Sequence, residues 1–240
     1  MNSAKLYLRS LLILLAVLFM AAGNGHAQQS VKIHQQKTSM TANYLLFLPQ
    51  GYEQNTSQKW PLVLFLHGAG ESGTDIEKVK IHGLPKIVQT KTDFPAIVVS
   101  PQCPSAQEGW NRFLLKDLLD NLLKDLRVDA SRVYVTGLSM GGRGTWEMLA
   151  YYPEMFAAAV PICGWGDTRL IRRASKVPIW VFHGAKDRVV PLYHSVELVE
   201  ILQRENADVK LTVYPDAGHD SWTETYNNPE LYEWLFSKTK

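Results

Sequence analysis

Cysteine is nearly absent: the 240 residues hold two, Cys103 and Cys163. Two thiols do not make a disulfide framework, and neither stands at metal-type spacing from a histidine, which argues against a disulfide-built module and against a structural zinc site. Their mutual pairing stays open. An excess of either charge is missing as well. Of 25 Lys and Arg, two (Lys5 and Arg9) fall in the first 27 residues, leaving 23 against 23 Asp and Glu. A chain so balanced has no electrostatic footprint for nucleic acid, and no charge block marks a membrane-surface patch. Internal repeats, low-complexity tracts and long linkers are also lacking.

Long apolar runs are missing except at the start. Lys5 and Arg9 precede the run Leu11–Ala22, and Gly25-His26-Ala27 follows it. The run is too short to span a bilayer, and the order of charge, apolar stretch and small residues is that of a secretory signal. Residues 1–27 are therefore expected to be a signal peptide cleaved after Ala27, leaving residues 28–240 as one domain with a substantial core and no stable membrane anchor.

Beyond the leader, short apolar runs alternate with amphipathic segments. Strands are expected at 44–49, 61–66, 96–100, 132–137, 157–162, 178–183 and 209–214, and helices over 113–126, 140–152, 192–203 and 229–236. Pro61–Leu66 is continuously apolar, as a strand covered on both faces requires. This alternation predicts an α/β fold with a mostly parallel sheet and helices on both faces. In such sheets ligand sites lie beyond the carboxyl ends of the strands.

Three loops at that edge carry chemistry. Gly137-Leu138-Ser139-Met140-Gly141 stands between an expected strand and an expected helix. A turn that tight needs glycine on either side of a serine whose hydroxyl is presented above the sheet. Serine needs a base, and His219, in the loop after strand 209–214, is placed to supply it. Asp187, after strand 178–183, is the matching acid. Asp216 and Asp220 adjoin His219 in sequence and suit turn formation and helix capping instead. His67 and His183 end strands just before glycine and suit loop shaping. The backbone N–H groups of Met140 and Ala69, the latter in the glycine-bearing loop after strand 61–66, are candidates to receive an oxyanion. Trp110, Trp165 and Trp222 lie in or beside these loops and could line a substrate site or fill core. Glu71 and Asp167 could meet substrate or cap a turn.

Leu66-His67-Gly68-Ala69-Gly70-Glu71, Gly137–Gly142, His183–Asp187 and Gly218-His219-Asp220-Ser221-Trp222 together resemble the α/β-hydrolase superfamily. More narrowly they are similar to its secreted bacterial carboxylesterase branch, near dienelactone hydrolases, feruloyl and acetyl xylan esterases and prolyl-oligopeptidase-like enzymes. The resemblance runs from about Tyr44 to Phe236. It implies Ser139 as nucleophile, Asp187 as acid, His219 as base, Ala69 and Met140 as oxyanion donors, and a reaction with no metal and no organic cofactor. Dienelactone hydrolases proper carry cysteine where Ser139 stands, so their narrow substrate does not transfer. Only residues 163–177 separate two expected strands where lids are commonly inserted, so no large cap domain is expected. The expected substrate is a small-molecule or polysaccharide-linked ester. A serine peptidase or amidase, and a non-catalytic carbohydrate-binding protein on the same fold, are the competing readings.

Overall fold

The structure is a computed structural model and describes residues 27–35 and 41–240. The expected signal segment lies outside the described residues, apart from Ala27. No helix among the described residues is long and apolar enough to cross a membrane.

Eight strands form one sheet in the order β1-β2-β4-β3-β5-β6-β7-β8: β1 (Gln28–Gln35), β2 (Thr41–Leu48), β3 (Trp60–Leu66), β4 (Ile97–Pro101), β5 (Val128–Leu138), β6 (Ala158–Ile162), β7 (Ile179–Gly184) and β8 (Val209–Tyr214). β2 pairs antiparallel with β1 and with β4, and every other pairing is parallel. Helices α1 (Gly83–Ile87), α2 (Arg112–Asp125), α3 (Met140–Tyr151), α4 (Tyr193–Arg204), α5 (Trp222–Asn227) and α6 (Pro229–Phe236) complete the chain.

The continuous apolar runs become strands because both sheet faces are covered. On β3, Leu62, Leu64 and Leu66 enter the core shared with α2, α3 and α4. Val63 and Phe65 point the other way, into the core under α1, α5 and α6. β7 repeats the device with Ile179 and Val181 on one side and Trp180 and Phe182 on the other. The leucine stripe of α2 buries Leu114, Leu115, Leu118, Leu119 and Leu122, and the Asn111 side chain caps the helix by accepting from Phe113 N and Leu114 N.

All seven expected strands and four expected helices are present, with ends moved by a few residues. The largest shift is at β5, which begins at Val128, where it pairs with Trp60 ahead of a register irregularity. β1 had no expected counterpart because it is an edge strand with Val31 and Ile33 exposed. Its order comes from the ladder to β2 rather than from burial. α1 and α5 are too short for a periodic signal. Between β6 and β7 the chain makes only a loop with one 3-10 turn, Ile171–Ala174, so no cap domain is inserted there. This is the α/β-hydrolase arrangement, and it brings the ends of β3 to β8 to one rim.

Candidate active site

At that rim, β5 ends at Leu138 and α3 begins at Met140, leaving Ser139 alone in the turn with φ 54. Ser139 N donates to Ile162 O at 3.0 Å, which ties the elbow to the end of β6. The flanking glycines allow backbones to touch. A Cβ on Gly141 would collide with the Leu66 carbonyl, and one on Gly137 with the Gly141 carbonyl. Gly141→Ala is accordingly expected to cost at least about 3 kcal/mol or to prevent folding, read from soluble yield and thermal melting.

His219 comes from the loop after β8. Its Nδ1 stands 2.7 Å from Asp187 Oδ2 and its Nε2 stands 2.9 Å from Ser139 Oγ. An ionised carboxylate only accepts, so Nδ1 carries the proton and Nε2 is left to accept from the serine hydroxyl. Asp187, in the loop after β7, is fixed from its other oxygen: Oδ1 accepts from Val189 N at 2.8 Å and Val190 N at 2.9 Å. Burial alone would raise its pKa and is the largest single influence. The bonds from His219 and the two amides, with the charge of His219, outweigh it and hold the carboxyl below its ordinary 3.8. The two loops are stitched together by Ala185 N to Tyr214 O and Lys186 N to Ala217 O, both at 2.9 Å. Thus the structure brings Ser139, Asp187 and His219 into one hydrogen-bonded series from three separate loops.

Met140 and Ala69 each stand at the first position of a helical turn, where an N–H has no intrahelical acceptor. The Ala69 loop runs beside Ser139: a Cβ built on Gly68 would lie 3.7 Å from Ser139 Cβ. His67 anchors that loop. Its Nε2 accepts from Cys103 N at 2.9 Å, so Nδ1 carries the proton and donates to Gly68 O at 2.6 Å. Burial drives its pKa down to about 4, which keeps the ring neutral. His183 does the same for the acid loop. Its Nε2 donates to Val190 O and its Nδ1 accepts from Ser195 Oγ, both at 2.8 Å, and burial lowers its pKa. Ser195 and Val190 give no sequence signal for this support, because the contacts are made only once α4 packs on β7.

The neighbouring acids have other partners. Asp220 accepts from Thr223 N at 3.0 Å and Thr223 Oγ1 at 2.9 Å, capping α5. Asp216 pairs with Lys186 at 2.6 Å, and Asp167 with Arg169 at 2.7 Å. Glu71, which ends the 3-10 turn begun by Ala69, is buried with Oε1 3.8 Å from His82 Nε2 and Oε2 3.9 Å from His67 Nδ1, the latter oxygen without a hydrogen bond. Since an amide oxygen can cap as well as a carboxylate, Asp220→Asn is expected to change turnover less than about three-fold in a steady-state assay.

The three tryptophans occupy different places. Trp222 stands perpendicular to His219 with ring centroids 5.2 Å apart, and lines a cavity of about 380 Å³ with His82 and Lys86 on the α1 and α5 side. Trp165 lies under the Arg143 guanidinium and lines a cavity of about 350 Å³ on the α3 side. Trp110 packs edge-on to His67 and donates from Nε1 to His67 O at 3.3 Å, so part of it is spent on holding the loop. It also borders a cavity of about 410 Å³.

Cys103 and Cys163 are both free and buried. Among the described residues, Cys163, Asp187 and His219 form the one group whose ligand atoms lie close enough for a metal ion, within 4.8 Å of one another. Two of the three are already bonded to each other at 2.7 Å, so a metal there would have to break the Asp187–His219 contact.

The chain is similar to several known proteins in sequence and fold. A solved structure described as a thermostable esterase superposes with a TM-score of 0.77 at 34% identity, covering 88% of this chain and 63% of that one. Poly(3-hydroxyalkanoate) depolymerase C of Paucimonas lemoignei is 30% identical over 181 residues, 68% of this chain and 41% of its own. An uncharacterized secreted protein of Arthroderma benhamiae is 26% identical over 209 residues, 69% of this chain and 22% of its own. The chain spans less than half the length of these curated relatives. Residues 41–232, from the second strand to the last helix and so including every loop of the rim, match the dienelactone hydrolase family, to which this chain belongs.

Proposed function

We propose that the protein is a secreted serine carboxylic ester hydrolase that works through an acyl-enzyme. The observation that carries this reading is the series Asp187–His219–Ser139, with contacts of 2.7 and 2.9 Å, beside two helix-start amides. Ser139 Oγ attacks the ester carbonyl while His219 Nε2 takes its proton. Negative charge gathers on the carbonyl oxygen, facing Met140 N–H and Ala69 N–H. His219 then returns the proton to the departing alcohol, and water repeats the sequence to free the acid. Asp187 stabilises the imidazolium in both halves. The esterase and depolymerase descriptions of the relatives support ester chemistry.

With no cap inserted between β6 and β7, the site is open to soluble esters and to acyl groups on a polymer, with Trp110, Trp165 and Trp222 as walls for the acyl or alcohol half. A panel of short acyl, feruloyl and acetylated-xylan esters, set against peptide amides and emulsified triglyceride, tests the reading. Turnover of the soluble or polymer-linked esters is expected. Faster cleavage of peptides with the esters inert would overturn it, as would a strong preference for long-chain triglyceride.

Export follows from the leader, and a relative described as secreted supports it. The mature chain is expected to be a single catalytic domain beginning at Gln28. N-terminal sequencing of exported protein checks this, and an uncleaved Met1 terminus would count against it.

A further inference from the structure

Cys163 stands immediately after β6, fully buried, with φ 41. Among the described residues three non-glycine positions have positive φ, and two of them are Ser139 and Cys163. A Cβ in that region costs backbone energy that glycine would not incur. The position therefore carries a side chain in spite of its backbone, and the side chain points at the reacting groups. Its sulfur, an Asp187 carboxylate oxygen and a His219 ring nitrogen lie within 4.8 Å of one another. The sulfur also lies beside the Ser139 backbone and the Ser221 hydroxyl. Ser221 belongs to the histidine loop, its N–H donating to His219 O at 2.8 Å. The backbone around the thiol is fixed too: Cys163 N donates to Phe182 O at 2.9 Å, and the preceding carbonyl receives Ser139 N. One small side chain thus lies close to the Ser139 elbow, to Asp187 and to the histidine loop, which reach the rim from three different strands.

We propose that Cys163 is a positioning residue, whose side chain wedges these loops so that the Asp187–His219 pair is held at bonding distance from the Ser139 hydroxyl. The inference rests on the triad reading given above. A thiol suits the task. Sulfur fills more space than a hydroxyl oxygen and donates weakly, so it does not take the Asp187 lone pair that His219 needs. Burial pushes the thiol up to about 12, so the group beside the pair is uncharged.

Two variants of the mature chain separate positioning from simple packing. Cys163→Ala keeps the strained backbone and removes the sulfur, whereas Cys163→Gly also releases the strain. Turnover of 4-nitrophenyl acetate is measured per serine titratable with a fluorophosphonate, with kcat and KM resolved and Tm recorded. Because misplacement of a reacting group by a fraction of an ångström is felt in the chemical step, kcat per titrated site is expected to fall about ten-fold or more in both variants, with KM within about two-fold. Cys163→Gly is expected to melt within a few degrees of the parent. A kcat per titrated site within about three-fold of the parent in both variants overturns the inference, and so does a loss that appears in KM alone. Ser139→Ala is run beside them. If it keeps parental turnover, the triad reading itself fails. If it is inactive while both Cys163 variants turn over normally, only the role of Cys163 is lost.

Discussion

Ser139→Ala is expected to lower kcat/KM for activated esters by roughly four to six orders of magnitude, with the fold intact. Alanine keeps the Cβ that serine already places at φ 54, so the backbone strain of the elbow is unchanged. The hydroxyl lost makes its hydrogen bond with His219 Nε2, so Tm is expected to move by no more than a few degrees. Steady-state kinetics and a thermal melt on the same preparation read both quantities. Residual activity within a hundred-fold of the parent would mean that another group attacks the carbonyl. His219→Ala belongs to the same unit, and combining it with Ser139→Ala is expected to add little, because the pair acts in one step.

Asp187→Asn is expected to cost about three to four orders of magnitude in kcat, by a route that the local bonding makes explicit. Two amides, Val189 N–H and Val190 N–H, point at Oδ1 and require an acceptor. An asparagine at this position must turn its carbonyl oxygen toward them, which presents its NH₂ to His219 Nδ1. The imidazole then accepts at Nδ1 and carries its proton on Nε2, where it can no longer receive the proton of Ser139. Loss of turnover with ester binding retained, a fall in kcat with little change in KM, is the expected pattern. Stability should respond to pH as well. The Asp187 carboxyl is held below its ordinary 3.8, so the stability its charged form contributes is complete above that value. It is lost as pH falls through the lower folded value. The asparagine variant has no such component, so the difference in Tm between parent and variant is expected to shrink in that acid window.

Much of this molecule was legible from residue order. The runs 61–66 and 178–183 had to be strands covered on both sides, because nothing in them could face water, and the structure divides their side chains between two cores. β1 was not legible, since Val31 and Ile33 remain exposed and only pairing with β2 gives the segment a shape. α5 was missed for a related reason: six residues hold too little periodicity, and its start is set by Asp220 and by the packing of Thr225 and Tyr226. At the rim, the glycines around Ser139 and the strand-end positions of Asp187 and His219 pointed to three loops. Nothing in the order of residues pointed to Cys163, whose significance lies in a backbone angle and in contacts between segments far apart in the chain.

By itself, then, the sequence determined which segments are strands and helices and which residue types stand at their carboxyl ends, because hydrophobic period and turn chemistry act over a few neighbours. Only the tertiary structure decided which of those residues meet. That choice depends on sheet order, on the tautomers that buried His67 and His183 are forced to adopt, and on close backbone contact at Gly141, all of which come from atoms that only folding brings within a few ångströms.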